Sequence, residues 1–249
     1  MNAVASAGLA HLLAVYVTLV WPVLVRRRYQ SLERRLREND PHARIEVYRR
    51  MIAHQWAMVL VVAAILALGS IPPDRVGLVE PAGGILQMEI LVIFLASMGV
   101  SGLFFRRRGD RVIRRMLKMA GAILPVATQE RWMFAAISVG AGVSEELVFR
   151  GFLLYYLNRY IPGLDNWALI TMSGVVFGFA HLYQGWRGVL LTGCLGCAFA
   201  FFYTFTGSLL APILIHAAVD LRLLIIFTPE RMRALAATGS VPASGKPGK

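Results

Sequence analysis

Apolar residues in this chain come in long blocks separated by short polar or basic stretches. Seven blocks stand out, at 4–25, 52–71, 85–105, 134–158, 167–183, 188–206 and 208–228. A helix needs about 20 residues to cross about 30 Å of hydrocarbon. Most blocks meet that length and the fifth is short. The pattern predicts an all-α fold, a polytopic membrane helix bundle of about seven transmembrane helices. Between blocks, segments 26–50 and 106–131 mix Arg with Leu, Ile, Val and Met. Val112, Ile113, Met116, Leu117 and Ala120 fall at helical spacing. That spacing predicts an interfacial amphipathic helix on an anionic membrane surface, with a calmodulin-type target helix as the alternative.

Three regions follow: transmembrane helices with basic segments over 1–131, a helical core over 132–228, and a tail over 229–249. The tail ends in GSVPASGKPGK, a composition expected to be disordered. The sequence contains no internal repeat and no second domain.

Composition agrees with the pattern. Hydrophobic residues make up 57% and charged residues 16%, with a mean hydropathy of +0.60. A disordered chain is excluded and a soluble globular enzyme is disfavoured. The formal net charge is +12, with a pI near 10.5. Nucleic acid is not the expected partner, because the basic residues sit in the gaps between apolar blocks. Of 26 Lys and Arg, 23 fall on one side of a seven-span topology. The other side has Arg75 and Arg159, and Arg150 lies within a span. The positive-inside bias then puts the N-terminus outside and the C-terminus in the cytoplasm. No basic residue precedes the first block, so it reads as an uncleaved helix rather than a signal peptide. Abundant Ala and Arg point to a bacterial inner membrane. Trp132, Trp167 and Trp186 read as interface anchors.

Ionisable groups in hydrocarbon are costly and mark function or a buried pair. The candidates are Glu89, Glu145, Glu146, Arg150, His181, His216 and Asp220, and all but Glu89 fall in three of the last four blocks. On a helix Glu146 and Arg150 face the same way, four residues apart, and can pair. Glu145 sits about 100° round and lacks that partner, which makes it the candidate general base. His181 shares a face with Phe177, and Gly174 and Gly178 let another helix approach closely. His216 and Asp220 again lie four apart. Counted from the outer helix ends, Glu145 and His181 both lie about 21 Å deep. Taken singly, each set can equally be helix–helix glue.

Together the runs E-E-L-V-F-R (145–150), F-G-F-A-H (177–181) and H-A-A-V-D (216–220) resemble the CPBP family of intramembrane glutamic proteases. That family includes CAAX prenyl endopeptidases and bacteriocin-processing or Abi-type proteins. Order, spacing and membrane placement match over about 134–228. The resemblance implies that Glu145 activates a water, with His181 helping to hold it. Glu146 would orient the site through Arg150, and His216 and Asp220 would polarise the scissile carbonyl and steady the oxyanion. Prenyl endopeptidases typically have Asn where this chain has Asp220. An ionised Asp repels an oxyanion, so Asp220 serves either protonated or by orienting His216.

The expected partners are membrane lipid and a membrane-associated peptide or protein substrate, with no cofactor. A zinc protease using His181, His216 and Glu145 or Asp220 is one alternative, although no H-E-x-x-H is present. A non-enzymatic carrier, scaffold or immunity factor is another. A serine mechanism is disfavoured, because neither Ser144 nor Ser173 sits in a G-x-S-x-G elbow. Cys194 and Cys197 read as small-residue packing.

Overall fold

The computed structural model describes residues 2–80, 84–108 and 110–237. These are almost entirely helical, and no strand occurs among them. Helix α1 (Asn2–Val15) runs through a π-helical turn (Tyr16–Val20) into α2 (Trp21–Arg37), making one rod of 36 residues. At 1.5 Å per residue the rod is about 54 Å long, so its basic end stands beyond a hydrocarbon layer of about 30 Å. The chain reverses at Asn39, whose φ of 59° is left-handed. Asp40 clamps this reversal. It accepts the His42 backbone N–H at 2.9 Å and pairs with Arg35 at 2.6 Å. Those two contacts hold its carboxyl below the usual carboxylate range.

Helix α3 (Ala43–Gly69) folds back against α1. A 3-10 turn (Pro73–Val76), α4 (Gly84–Arg108) and α5 (Asp110–Ala120) follow. Next comes a second long rod of 33 residues: α6 (Thr128–Glu146), a π-helical turn (Leu147–Phe152) and α7 (Leu153–Tyr160). The chain ends in α8 (Asn166–Ala180), α9 (Gly185–Thr206), α10 (Leu210–Ile226) and α11 (Pro229–Ala237).

Among the described residues four helices are long and apolar enough to cross a membrane: Asn2–Arg37, Ala43–Gly69, Thr128–Tyr160 and Leu182–Thr206. A fifth is α10 with the start of α11, bent by 65°. The expected count of seven is not reached. The fifth apolar block forms α8, which has only 15 residues and spans about 22 Å. The third block coincides with α4, where several side chains lie outside the described residues. Leu12, Leu60, Ile93, Leu190 and Phe205 are each at least 67% exposed. An apolar exterior on that scale suits lipid and not water, so this is a membrane protein.

The basic end of the bundle is closed by polar contacts. Arg44 Nε donates to the Ala122 carbonyl at 3.0 Å, and the guanidinium lies 3.8 Å from Glu130. Glu130 in turn accepts the backbone N–H groups of Val126 and Ala127 at 2.7 and 3.0 Å. Arg131 donates to the carbonyls of Leu224 and Phe227 at 2.8 and 2.6 Å, satisfying the open end of α10. Helix α5 falls where the amphipathic pattern placed it, and its Ile113 packs in a core with Tyr48, Phe134 and Phe227. The tail expected to be disordered from residue 229 opens instead as α11, because Met232 joins the same core at 0% exposure. Residues 238–249 of that tail lie outside the described residues.

Small residues set the spacing of the core helices. A Cβ on Gly178 would stand 2.6 Å from the Val189 carbonyl oxygen, and one on Gly174 would strike Cys197 Sγ. The α8–α9 pair is therefore in backbone contact, and Cys197 serves as a small packing residue in it. Gly142 does the same for α6 and α10, where a Cβ would stand 2.8 Å from the Ile213 carbonyl oxygen. Gly142→Ala should therefore cost about 1–3 kcal/mol as overpacking. Gly8→Ala, with nothing within 4 Å of its Cβ, should not. Thermal unfolding in detergent checks this. Equal Tm values would mean that α6 and α10 do not touch at Gly142.

Candidate active site

The E-E-L-V-F-R run straddles a change of helix type. Helix α6 ends at Glu146, and the π-helical turn carries Arg150. Such turns gather at functional sites. Arg150 Nη1 still reaches back to Glu146 Oε1 at 3.0 Å, and both side chains are 0% exposed. Arg150 Nη2 donates to the Gly196 carbonyl at 3.1 Å, and the guanidinium lies over the Phe177 and Phe199 rings at 4.2 and 5.3 Å. A carboxylate, a carbonyl and two aromatic faces thus take the place of water around the cation.

Glu146 has a second partner that spacing did not foretell. His216 Nδ1 donates to the same Oε1 at 2.6 Å, across from α10 to α6. The His216 ring lies stacked on Phe199 and edge-on to Phe177, at 5.3 and 5.9 Å. Its Nε2 is 3.8 Å from Asp220 Oδ2, outside hydrogen-bond range. His216 is therefore fixed by Glu146, with Asp220 beside it.

Glu145 points elsewhere. It lines a cavity together with His181, and its Oε2 is buried with no hydrogen-bond partner. His181 ends the short α8, where its Nδ1 donates to the Phe177 carbonyl at 2.9 Å. That bond leaves Nε2 as the accepting nitrogen of the neutral ring. The shortness of α8 matters here. Non-helical backbone at membrane depth is tolerated where it is buried in protein or lines a watered cavity, and His181 sits at that break. Asp220 lies within electrostatic reach of His216, Glu145 and His181. The fold thus gathers Glu145, Glu146, Arg150, His181, His216 and Asp220 from three separate helical segments. Glu89 is not among them and is exposed on α4.

The cavity has a volume of about 150 Å³. Its other wall comes from α2 and α3, to which the sequence reading assigned no chemistry. Trp21, Arg28 and Tyr29 of α2 and Arg50, His54 and Gln55 of α3 line it. His54 Nε2 lies 2.8 Å from the Tyr16 hydroxyl, and its ring is edge-on to Trp21 at 4.5 Å. Gln55 Nε2 donates to the Ile137 carbonyl at 3.1 Å, pinning α3 to α6. The available signal was the pair His54–Gln55 inside the second apolar block. Among the described residues no three His, Cys, Asp or Glu side chains gather as metal ligands. The zinc set weighed from the sequence is not assembled.

Membrane-length helices around a buried polar centre define a polytopic membrane protein with an internal site. Comparison with known proteins bears on that site. Residues 127–222, under half of the chain, match the family model described as type II CAAX prenyl endopeptidase Rce1-like. No curated protein and no solved structure matches the chain. The matched segment holds all six gathered residues and leaves the α2–α3 wall of the cavity outside it. It supports peptide hydrolysis as the class of activity.

Removing one partner of a buried pair costs about 3–5 kcal/mol. Arg150→Ala should lower folded yield and Tm accordingly, because Glu146 keeps a charge that only His216 then faces. Fluorescence-detected size exclusion of the expressed variant checks this. A wild-type profile would show that water reaches Glu146.

Proposed function

We propose that this protein is a glutamic-type intramembrane endopeptidase that cleaves a membrane-associated or lipidated peptide. One observation carries the reading: of two adjacent acids, Glu146 is held through Oε1 by Arg150 and His216, while Glu145 makes no hydrogen bond among the described residues and lines the cavity. Glu145 accepts a proton from a water that His181 Nε2 helps to hold. The water oxygen adds to the scissile carbonyl carbon. A proton on His216 Nε2 hydrogen-bonds the oxyanion that forms, and Glu146 keeps that ring in place. Asp220, beyond direct contact with His216, donates to the oxyanion when protonated. Collapse of the intermediate breaks the C–N bond, and the proton on Glu145 passes to the leaving amine. No cofactor enters the scheme.

In this reading seven spans cross a bacterial inner membrane, with the N-terminus outside and the basic ends in the cytoplasm. The site then opens toward the cytoplasmic half of the bilayer. A leader peptide, a C-terminal sorting tail or another membrane protein all fit such a site.

Glu145→Gln should abolish turnover while the protein stays folded, because the amide keeps shape and loses the base. The test compares new protein termini in native-host membranes that hold wild type or Glu145→Gln at equal levels. Termini present only with wild type are the expected result. Identical termini would overturn the reading and favour a carrier, scaffold or immunity factor.

A further inference from the structure

We infer that Arg28 is a specificity residue that pairs with a carboxylate of the substrate at the basic end of the cavity. This rests on the proteolytic reading above only in taking the ligand to be a peptide. Three arginines line the cavity: Arg28, Arg35 and Arg50. They are not equivalent. Arg35 is committed to the turn between α2 and α3, with Nε and Nη2 on Asp40 at 2.7 and 2.6 Å and Nη1 on Glu46 at 3.0 Å. Arg50 faces the same Glu46 at 3.8 Å. Arg28 is exposed where it lines the cavity, has neither a hydrogen bond nor an ion pair among the described residues, and lies within electrostatic reach of Tyr16 and His54.

The placement follows from helix periodicity. Trp21, Val25, Arg28, Leu32 and Arg35 recur every three or four residues, so one face of α2 is the cavity wall. Arg28 stands seven residues from Trp21, about 10 Å nearer the basic end. Trp21 lies edge-on to His54 and to Phe149, the residue before Arg150, at 4.5 and 5.9 Å. An extended peptide advances about 3.3 Å per residue. A carboxylate held by Arg28 therefore belongs to a residue a few positions along from the chain inside the cavity. The guanidinium fork matches a carboxylate bidentately, and the wall below it is apolar and aromatic, as peptide side chains require. A C-terminal carboxylate and an Asp or Glu side chain share this chemistry.

The test uses the full chain in phosphatidylcholine nanodiscs and a mixture of apolar fluorogenic decapeptides in three forms. One form has a free C-terminal carboxylate, one a C-terminal amide, and one an amide with a single internal Asp. Cleavage is measured with wild type, and binding with Glu145→Gln. The carboxylate-bearing forms should be preferred about tenfold to a hundredfold over the plain amide, chiefly in KM and Kd. Arg28→Gln should collapse that ratio toward one, and Arg28→Lys should keep part of it. Arg34→Gln, exposed on the same helix and outside the cavity wall, should keep the whole ratio. Preference for the free terminus assigns the terminal carboxylate, and preference for the internal Asp assigns the side chain; either supports the inference. If wild type cleaves nothing while Arg28-dependent binding persists, the proteolytic reading falls and the anion site stands. The inference is overturned by a ratio that Arg28→Gln leaves unchanged, or by equal binding of all three forms. It is also overturned by a preference that appears with neither lipid, or that vanishes in phosphatidylglycerol discs because a headgroup phosphate holds Arg28.

Discussion

A carboxylate with no solvent exposure, set among membrane helices, must be matched by cations or not form at all. Glu146 is that carboxylate, and much of the core is arranged to match it. Arg150 comes from one turn along the same rod, and His216 comes from α10. Arg150 in turn needs the Gly196 carbonyl and the Phe177 and Phe199 rings. The glycines of α8, α9 and α6 let these helices come close enough to supply those contacts. One buried charge thus accounts for the mutual placement of four helices. It also leaves the neighbouring Glu145 without a hydrogen bond among the described residues, since Arg150 and His216 are engaged by Glu146.

The segment that matches a protease family and the segment that matches none meet at the cavity. The former supplies Glu145 and His181; the latter supplies Trp21, Arg28, Tyr29, His54 and Gln55. In the proposed reading, that division places reacting groups on one wall and recognising groups on the other. In that reading, proteins sharing the core can differ in what they accept by changing only α2 and α3.

Much of the candidate site was legible as spacing. Four-residue intervals placed Glu146 with Arg150 and Phe177 with His181, and a helix fixes those intervals whatever the fold does. What could not be read was which acid faces His216, because this depends on how α6 and α10 are rotated about their own axes. Asp220 shares a helix face with His216, yet the ring turns to Glu146, where the charge is fully desolvated and the gain from pairing is larger. His54 and Gln55 escaped notice for a different reason. They sit near one end of an apolar block, where a polar pair resembles an ordinary boundary. The count of seven spans is not confirmed where length and crossing part company. Helix α8 is apolar throughout but stops short, and α10 continues past a bend into α11. Apolar pattern alone reads both as simple crossings.

The π-helical turn at Leu147–Phe152 has a consequence for how such a protein can diverge. One residue more than an α-helical turn needs is absorbed there, and each residue of an α-helix turns its neighbours by about 100°. The turn therefore acts as a phase adjuster between two halves of one rod. Helix α6 keeps the azimuth that the buried acids demand, while α7 is free to settle at whatever azimuth its neighbours on the far side of the bundle prefer. Sequence drift in the distal half can proceed without dragging the acids out of alignment.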